Sequence, residues 1–185
     1  MKKIRRLLAL LALFALAAGF VYWQNFTLQV EPVELFFESL PPQFDGLRVA
    51  ELSDLHGRSF GKNNVRLLRT LQKARPDMIC ICGDLFDEKT DLTDIAPVYY
   101  VTGNHEWQVK NLREILQKMR AWGVTVLENE GRVLSRGGAE MVVAGVHDPC
   151  GPYDMKTPAA LVRELRSARG NDFILMLSHR NDELA

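Results

Sequence analysis

Apolar and polar positions divide the sequence into a long N-terminal apolar run and a region in which short apolar stretches alternate with amphipathic ones. From residue 47 onward, uninterrupted apolar stretches predict β-strands, and apolar residues at helical spacing predict helices. The predicted strands cover residues 48–52, 78–82, 97–101, 124–127, 133–134, 141–144 and 173–177. The predicted helices cover residues 63–74, 112–122 and 157–169.

This alternation is typical of an α/β fold, a layered sheet with helices on its faces. We expect one domain over residues 47–185, because no linker or internal repeat interrupts it. Residues 24–46 form an approach segment to that domain, with a further strand near residues 33–37 and a break at two consecutive prolines.

The N-terminus has the pattern of a membrane-targeting segment. A basic cluster in residues 2–6 precedes seventeen residues without charge, as in an export signal or signal anchor. This length is at the lower end of what crosses a bilayer core of about 30 Å. Tyr22 and Trp23 suit the far interface, and the basic cluster favours an inside N-terminus. We expect a single-pass signal anchor, or transmembrane helix, over residues 1–23 in the cell membrane, with the remaining chain on the extracytoplasmic side. A cleaved signal and a buried helix stay open as alternatives.

Composition excludes several classes of protein. The chain of 185 residues is 47% hydrophobic and 25% charged, which excludes a disordered or low-complexity protein. Beyond the first 23 residues there are 19 basic and 23 acidic side chains, which argues against a general nucleic-acid binder. An odd number of cysteines, three, cannot form a disulfide framework. Cys80 and Cys82 face the same side of a predicted strand, and we interpret them as small buried core residues.

Side chains that bind metals follow four of the predicted strands directly. They are Asp54 and His56, then Asp84, then Asn104, His105 and Glu106, and finally His179. If these strands share one sheet and one direction, their ends meet at the carboxyl edge, where α/β folds bind ligands. Glycines precede Asp84 and Asn104, which allows the backbone to turn sharply and approach a bound group closely.

These residue types together suit a particular kind of metal site. Each motif alone is weak, since Asp-x-His and Gly-Asp are common in turns and Asn-His-Glu can cap a helix. A mixed shell of carboxylate, imidazole and amide suits Mn, Fe or Zn better than Ca²⁺. Two divalent ions about 3.5–4 Å apart require a bridging carboxylate, and Asp84 is central in the order. A neutral Asn ligand preserves positive charge that attracts a phosphate oxygen.

The motifs resemble those of the calcineurin-like metallophosphoesterases, which are D-x-H, G-D, G-N-H-[DE], H and G-H-x-H. Here they read Asp54-x-His56, Gly83-Asp84, Gly103-Asn104-His105-Glu106 and His179. The resemblance covers residues 47–181, and the basic head, apolar run and Ser-Asp-Leu-His-Gly segment resemble the membrane-anchored bacterial branch. It implies a partial α/β/β/α sandwich and hydrolysis of phosphomonoesters or phosphodiesters by a metal-bridging hydroxide. The anchor suggests a lipid-linked phosphate as substrate.

The resemblance also implies a ligand set for two divalent ions. Asp54 and His56 would bind the first ion, and Asp84 would bridge both. Asn104 and His179 would bind the second ion.

Further residues would act without binding metal directly. The resemblance implies that His105 stabilises the transition state or protonates the leaving oxygen. Glu106 would orient His105 or a ligand. Asp148, at a predicted strand end, and Arg58, after the first ligand pair, are candidates for a substrate or supporting contact. We interpret His147 as an exposed loop residue.

One motif of the family is absent. The four histidines of the sequence, His56, His105, His147 and His179, include no Gly-His-x-His. Each ion would then have three protein ligands where the family provides four, which predicts weaker metal binding. The alternative hypothesis is a truncated, catalytically impaired family member that acts at most as a weak metal-binding or interaction module.

Overall fold

The structure is a computed structural model that describes residues 2–85, 92–152 and 155–180. The chain divides into two compact units, Met1–Glu34 and Leu35–Ala185. The first unit contains helix α1 (Lys2–Phe26). Its stretch Lys2–Gln24 has a mean hydropathy of 2.0 and is long and apolar enough to cross a membrane. Within the described residues no part of this stretch is buried, unlike the core helix of a soluble domain.

The described part of the second unit consists of two sheets and three helices. Its strands are β1 (Val49–Leu52), β2 (Met78–Cys82), β3 (Val98–Val101), β4 (Thr125–Val126), β5 (Glu130–Arg136), β6 (Ala139–Gly145) and β7 (Ile174–Leu177). Its helices are α2 (Val65–Ala74), α3 (Leu112–Ala121) and α4 (Pro158–Arg169). Every strand and helix predicted after residue 47 is therefore present, and the β5–β6 hairpin is longer than predicted.

The prediction of a strand near residues 33–37 is wrong. In the described structure residues 27–37 belong to no helix or strand. Phe36 there is 89% exposed. A strand requires a hydrogen-bonded neighbour, and none of the described strands pairs with this segment.

The first sheet is parallel and has the order β1-β2-β3-β4. Leu52 pairs with Ile81, and Cys82 pairs with Val101, so β1, β2 and β3 end at the same edge. The prediction of a shared carboxyl edge is confirmed for these three strands.

The condition that all four strands with candidate ligands share one sheet is not met. β7, which precedes His179, pairs in parallel with β6 in a second sheet of order β5-β6-β7. Its side chains alternate, with Leu175 and Leu177 packed into the core between the sheets and Met176 packed towards α4. An apolar strand of this kind fits either sheet, so the sequence pattern alone does not assign it.

The main core lies between the two sheets, which therefore pack face to face. Its buried members are Phe44, Met78, Cys80, Cys82, Tyr99, Val101, Leu127, Met141, Val143 and Leu177. On the outer face of the second sheet, Leu161 of α4 packs against Val142 and Ala144. On the outer face of the first sheet, Tyr100 lines a cavity with Leu112 of α3. The predicted layering of helices and sheets is present.

Candidate metal centre

Asp84 lies at the centre of the cluster of predicted ligands. It follows β2, and only 1% of its surface is exposed. Its Oδ1 accepts the backbone N–H of His105 at 3.0 Å. Its Oδ2 lies 3.8, 3.9 and 3.6 Å from the Nε2 atoms of His56, His105 and His179. The backbone therefore fixes one carboxylate oxygen, and the other faces three imidazoles.

The remaining predicted ligands adjoin this centre. Asp54 Oδ1 lies 3.5 Å from His56 Nε2, and Asn104 Oδ1 lies 3.1 Å from His179 Nε2. Two sets of potential ligand atoms each lie within 4.8 Å of one another, and they are His56–Asp84–His105 and Asp54–Asp84–His179. Asp84 belongs to both sets, as a bridging carboxylate would. The sets divide the other residues differently from the prediction, since Asp54 groups with His179 and His56 groups with His105. The structure thus brings all five predicted ligands together.

His105 is as close to Asp84 as the predicted ligands are. Its side chain is 46% exposed, and its ring lies edge-on to that of His56 with centroids 4.8 Å apart. The ring can therefore meet a molecule that arrives from solvent. Its catalytic role stays a prediction.

The loops that carry these ligands have an uncommon backbone conformation. Asp54, His56 and Asp84 have φ values of 55°, 47° and 54°, a left-handed region that costs a residue other than glycine on the order of 1 kcal/mol or more. Hydrogen bonds between the loops hold this conformation. The N–H of His56 donates to the Asp84 carbonyl at 2.8 Å, and that of Gly57 donates to the Leu85 carbonyl at 3.1 Å.

The two glycines of the motifs permit the close approach of these loops. A Cβ on Gly83, whose φ is +83°, would lie 2.5 Å from the backbone N of Gly103 and 2.8 Å from His179 Nδ1. A Cβ on Gly103 would collide with Asp84 Oδ1. The predicted sharp turn is therefore present at Gly83, and both glycines allow the loops to approach each other closely. The close approach to a bound group stays a prediction.

The orientation of His179 fits a bound cation. Its Nδ1 lies 2.7 Å from the Cys82 carbonyl oxygen, which can only accept, so Nδ1 carries the proton. In the neutral ring Nε2 then presents a lone pair to Asn104 Oδ1, which is also an acceptor, at 3.1 Å. The Nε2 lone pair and an amide oxygen are both atoms that bind metal ions, and at this distance they can bind the same cation.

Glu106 joins two of these loops through hydrogen bonds to their backbone. It is 4% exposed, and its carboxylate accepts the backbone N–H groups of Asp84 (2.9 Å), Leu85 (3.0 Å) and Gly103 (2.6 Å). Burial raises the pKa of Tyr100 well above its usual value, and the Glu106 carboxylate that hydrogen-bonds to its hydroxyl raises it further. Glu106 thus contacts the backbone of a predicted ligand.

Asp148 and Arg58 occupy different environments. Asp148 is buried; its Oδ2 accepts from Arg180 Nε at 2.7 Å and its Oδ1 accepts the Cys150 N–H at 2.9 Å. Arg180 follows His179 directly, so this ion pair ties down the loop after β7. Arg58 lies exposed in the loop after β1, where its backbone N–H donates to the Leu55 carbonyl at 2.8 Å.

The interpretation of His147 as an exposed loop residue is wrong, since it is only 8% exposed. Its backbone N–H donates to Asn129 Oδ1 at 3.0 Å, and its Nδ1 lies 3.0 Å from Thr102 Oγ1. Burial lowers its pKa, although the Glu128 carboxylate opposes this. His147 follows a buried strand almost directly, which is the signal that the sequence interpretation overlooked.

Cys80 and Cys82 are core residues, as predicted. Both are buried between the sheets, and burial raises the pKa of each thiol to about 12. Both thiols are therefore protonated at neutral pH.

Comparison with known proteins identifies the same family. Residues 47–181 match the family described as calcineurin-like phosphoesterase. A Bos taurus protein named "Transmembrane protein with metallophosphoesterase domain" is 32% identical over an alignment of 141 residues; the match covers 64% of this chain and 31% of that protein. A Caenorhabditis elegans protein named as a metallophosphoesterase is 28% identical over an alignment of 155 residues; the match covers 74% of this chain and 32% of that protein. The chain spans about a third of the length of these curated relatives.

Among solved structures, the phosphopantetheinyl hydrolase of Mycobacterium tuberculosis is 21% identical with a TM-score of 0.36, over 52% of this chain and 41% of that one. That score is too low to support a conclusion. The family match, by contrast, covers most of the sequence and includes every predicted metal ligand. It confirms the resemblance seen in the motifs: this chain belongs to the calcineurin-like phosphoesterase family.

Proposed function

We propose that this protein hydrolyses phosphate esters with two divalent metal ions held by Asp54, His56, Asp84, Asn104 and His179. The family implies metal-dependent hydrolysis of phosphoesters. The single observation that supports the site most strongly is the shared position of Asp84 in both sets of ligand atoms. Mn, Fe or Zn ions bound there would supply the positive charge that attracts a phosphate and activates a water molecule.

In this proposal His105 transfers a proton to the leaving oxygen. Its ring is half exposed at the edge of the cluster, while its backbone N–H is held by Asp84 Oδ1. A catalytic acid has to reach the substrate and keep a fixed orientation, and the exposed ring and held backbone of His105 support this role. Arg58, in the exposed loop after β1, contacts the substrate phosphate.

Two buried carboxylates position the ligands. Glu106 holds the backbone of Asp84 and of Gly103, so it fixes the distance between the loops after β2 and β3. Asp148 holds Arg180 and thereby the loop that presents His179. Supporting contacts of this kind set the orientation of metal ligands.

The membrane location and the substrate class are further parts of the proposal. The apolar helix α1 and relatives named as transmembrane proteins support a protein attached to the cell membrane by a single span, with the domain on the extracytoplasmic side. A site near a bilayer favours a lipid-linked phosphate as the natural substrate.

The proposal is tested with the purified full chain and Mn²⁺. An aryl phosphate monoester and a bis-aryl diester report phosphoesterase activity directly. We expect hydrolysis of at least one of them, loss of activity in Asp84→Ala, and unchanged activity in Asp45→Ala, an exposed carboxylate outside the cluster. His105→Ala should bind Mn²⁺ normally and lose turnover.

Two outcomes would overturn this assignment. Activity that survives Asp84→Ala would show that the bridge is assigned wrongly. Metal binding without turnover in the unmodified chain would support the alternative, a weak metal-binding module.

A further inference from the structure

The segment around α2 carries an unusual concentration of one charge. Between Arg58 and Arg75 there are six basic and no acidic side chains. The rest of residues 35–185 has 13 basic and 21 acidic side chains. Positive charge is therefore gathered in one place on a unit that is otherwise acidic.

Helix α2 places part of this charge on one face. Arg66, Arg69 and Lys73, which we call the basic stripe, follow the i, i+3, i+7 spacing of one helix face. All three are exposed, whereas Leu67 and Leu71 are buried on the other side. Lys62 before the helix and Arg75 after it extend the stripe, and both are exposed.

The stripe also differs from several other basic residues in its partners. Some cations elsewhere form ion pairs, such as Arg120 with Glu128 and Lys156 with Glu164. Among the described residues, no carboxylate forms an ion pair with the stripe. Like charges three or four positions apart destabilise a helix, so repulsion within the stripe lowers the stability of α2 in the isolated protein. An external anionic surface would remove that repulsion.

We propose that the basic stripe docks on the anionic phospholipid head groups of a bilayer. Helix α1 gives an independent reason to expect a bilayer nearby. A narrow row of cations is enough to bind an anionic bilayer surface, because each cation strengthens binding to that surface about fivefold. This docking does not depend on the proposed phosphoesterase activity.

Lysine acetylation of the full chain in nanodiscs tests the proposal. The nanodiscs contain phosphatidylcholine alone, or with about one-third phosphatidylglycerol, and mass spectrometry reports the acetylation rate of each lysine. We expect phosphatidylglycerol to slow acetylation of Lys73 and Lys62 about fivefold. High salt should reverse the effect. Lys110 and Lys118, exposed elsewhere, provide internal controls that should not change.

A matched pair of double variants sharpens this experiment. Arg66→Glu with Arg69→Glu should abolish the protection of Lys73. Arg163→Glu with Arg166→Glu has the same spacing on the exposed face of α4 and should leave it intact. The proposal would be overturned by equal acetylation rates of Lys73 in both nanodiscs, or by an equal loss of Lys73 protection in both variants. It would also be overturned if duplex DNA in place of phosphatidylglycerol protected Lys73.

Discussion

Nε2 of His179 lies 3.6 Å from Oδ2 of Asp84, although the two residues follow strands of different sheets. The distance is therefore set by how the two sheets pack, not by the register within one sheet. The core between the sheets is buried and continuous from β2 to β7, so it fixes this distance. Stability of the core and geometry of the metal centre should consequently change together.

Gly83→Ala tests the close approach of the loops. The change should lower the free energy of unfolding by roughly 3 kcal/mol or more, since it adds both a strained φ and a collision with Gly103. Gly138→Ala is the matched control, because Gly138 has φ +82° and a Cβ there meets nothing within 4 Å. It should cost only about 1 kcal/mol. Urea unfolding measures both values, and equal losses would show that the loops do not need this contact.

Glu106→Gln tests the buried carboxylate that joins two loops. The variant keeps the size of the side chain but loses the charge that satisfies three backbone N–H groups. We expect a loss of about 2 kcal/mol in the free energy of unfolding and a lower kcat for aryl phosphate hydrolysis. Glu114→Gln, at an exposed position of α3, should change stability by less than about 0.5 kcal/mol. If the two variants behave alike, Glu106 has no positioning role.

His147 should make stability depend on pH. Burial lowers its pKa below the ordinary 6.5 in the folded state, so the unfolded chain takes up this proton first as pH falls. The contribution of neutral His147 to the free energy of unfolding is fully present above about pH 6.5 and is lost as pH falls through and below that value. In the presence of a chelator, His147→Gln should therefore lose less free energy of unfolding than the unmodified chain between about pH 7 and pH 5. Parallel pH profiles would contradict this.

Much of the candidate site could be predicted from the sequence, because its polar residues follow apolar strands directly. Asp54, Asp84 and Asn104 could be placed at one edge because β1, β2 and β3 are parallel neighbours, a relation that local pattern predicts. His179 could not be assigned to its sheet, because it touches the Cys82 carbonyl across 97 positions. Such a contact depends on packing that no local pattern encodes.

Supporting residues were harder to predict than ligands. The sequence did not indicate roles for Tyr100, which lies within β3, or for Thr102, which follows it, because the partner of each is distant in sequence. The pairing of Asp148 with Arg180 joins the ends of two adjacent strands, and only the second sheet makes them neighbours. Local motifs therefore predicted the positions of the candidate ligands, whereas contacts that depend on the pairing of strands in the second sheet could not be predicted.

The most direct test of the central claim, that Asp84 bridges two cations, is electron paramagnetic resonance of the full chain titrated with Mn²⁺. The account predicts that two ions bind per chain and give the spectrum of a magnetically coupled pair. Asp84→Asn should leave only uncoupled Mn²⁺. A single bound ion, or two ions without coupling, in the unmodified protein would contradict it.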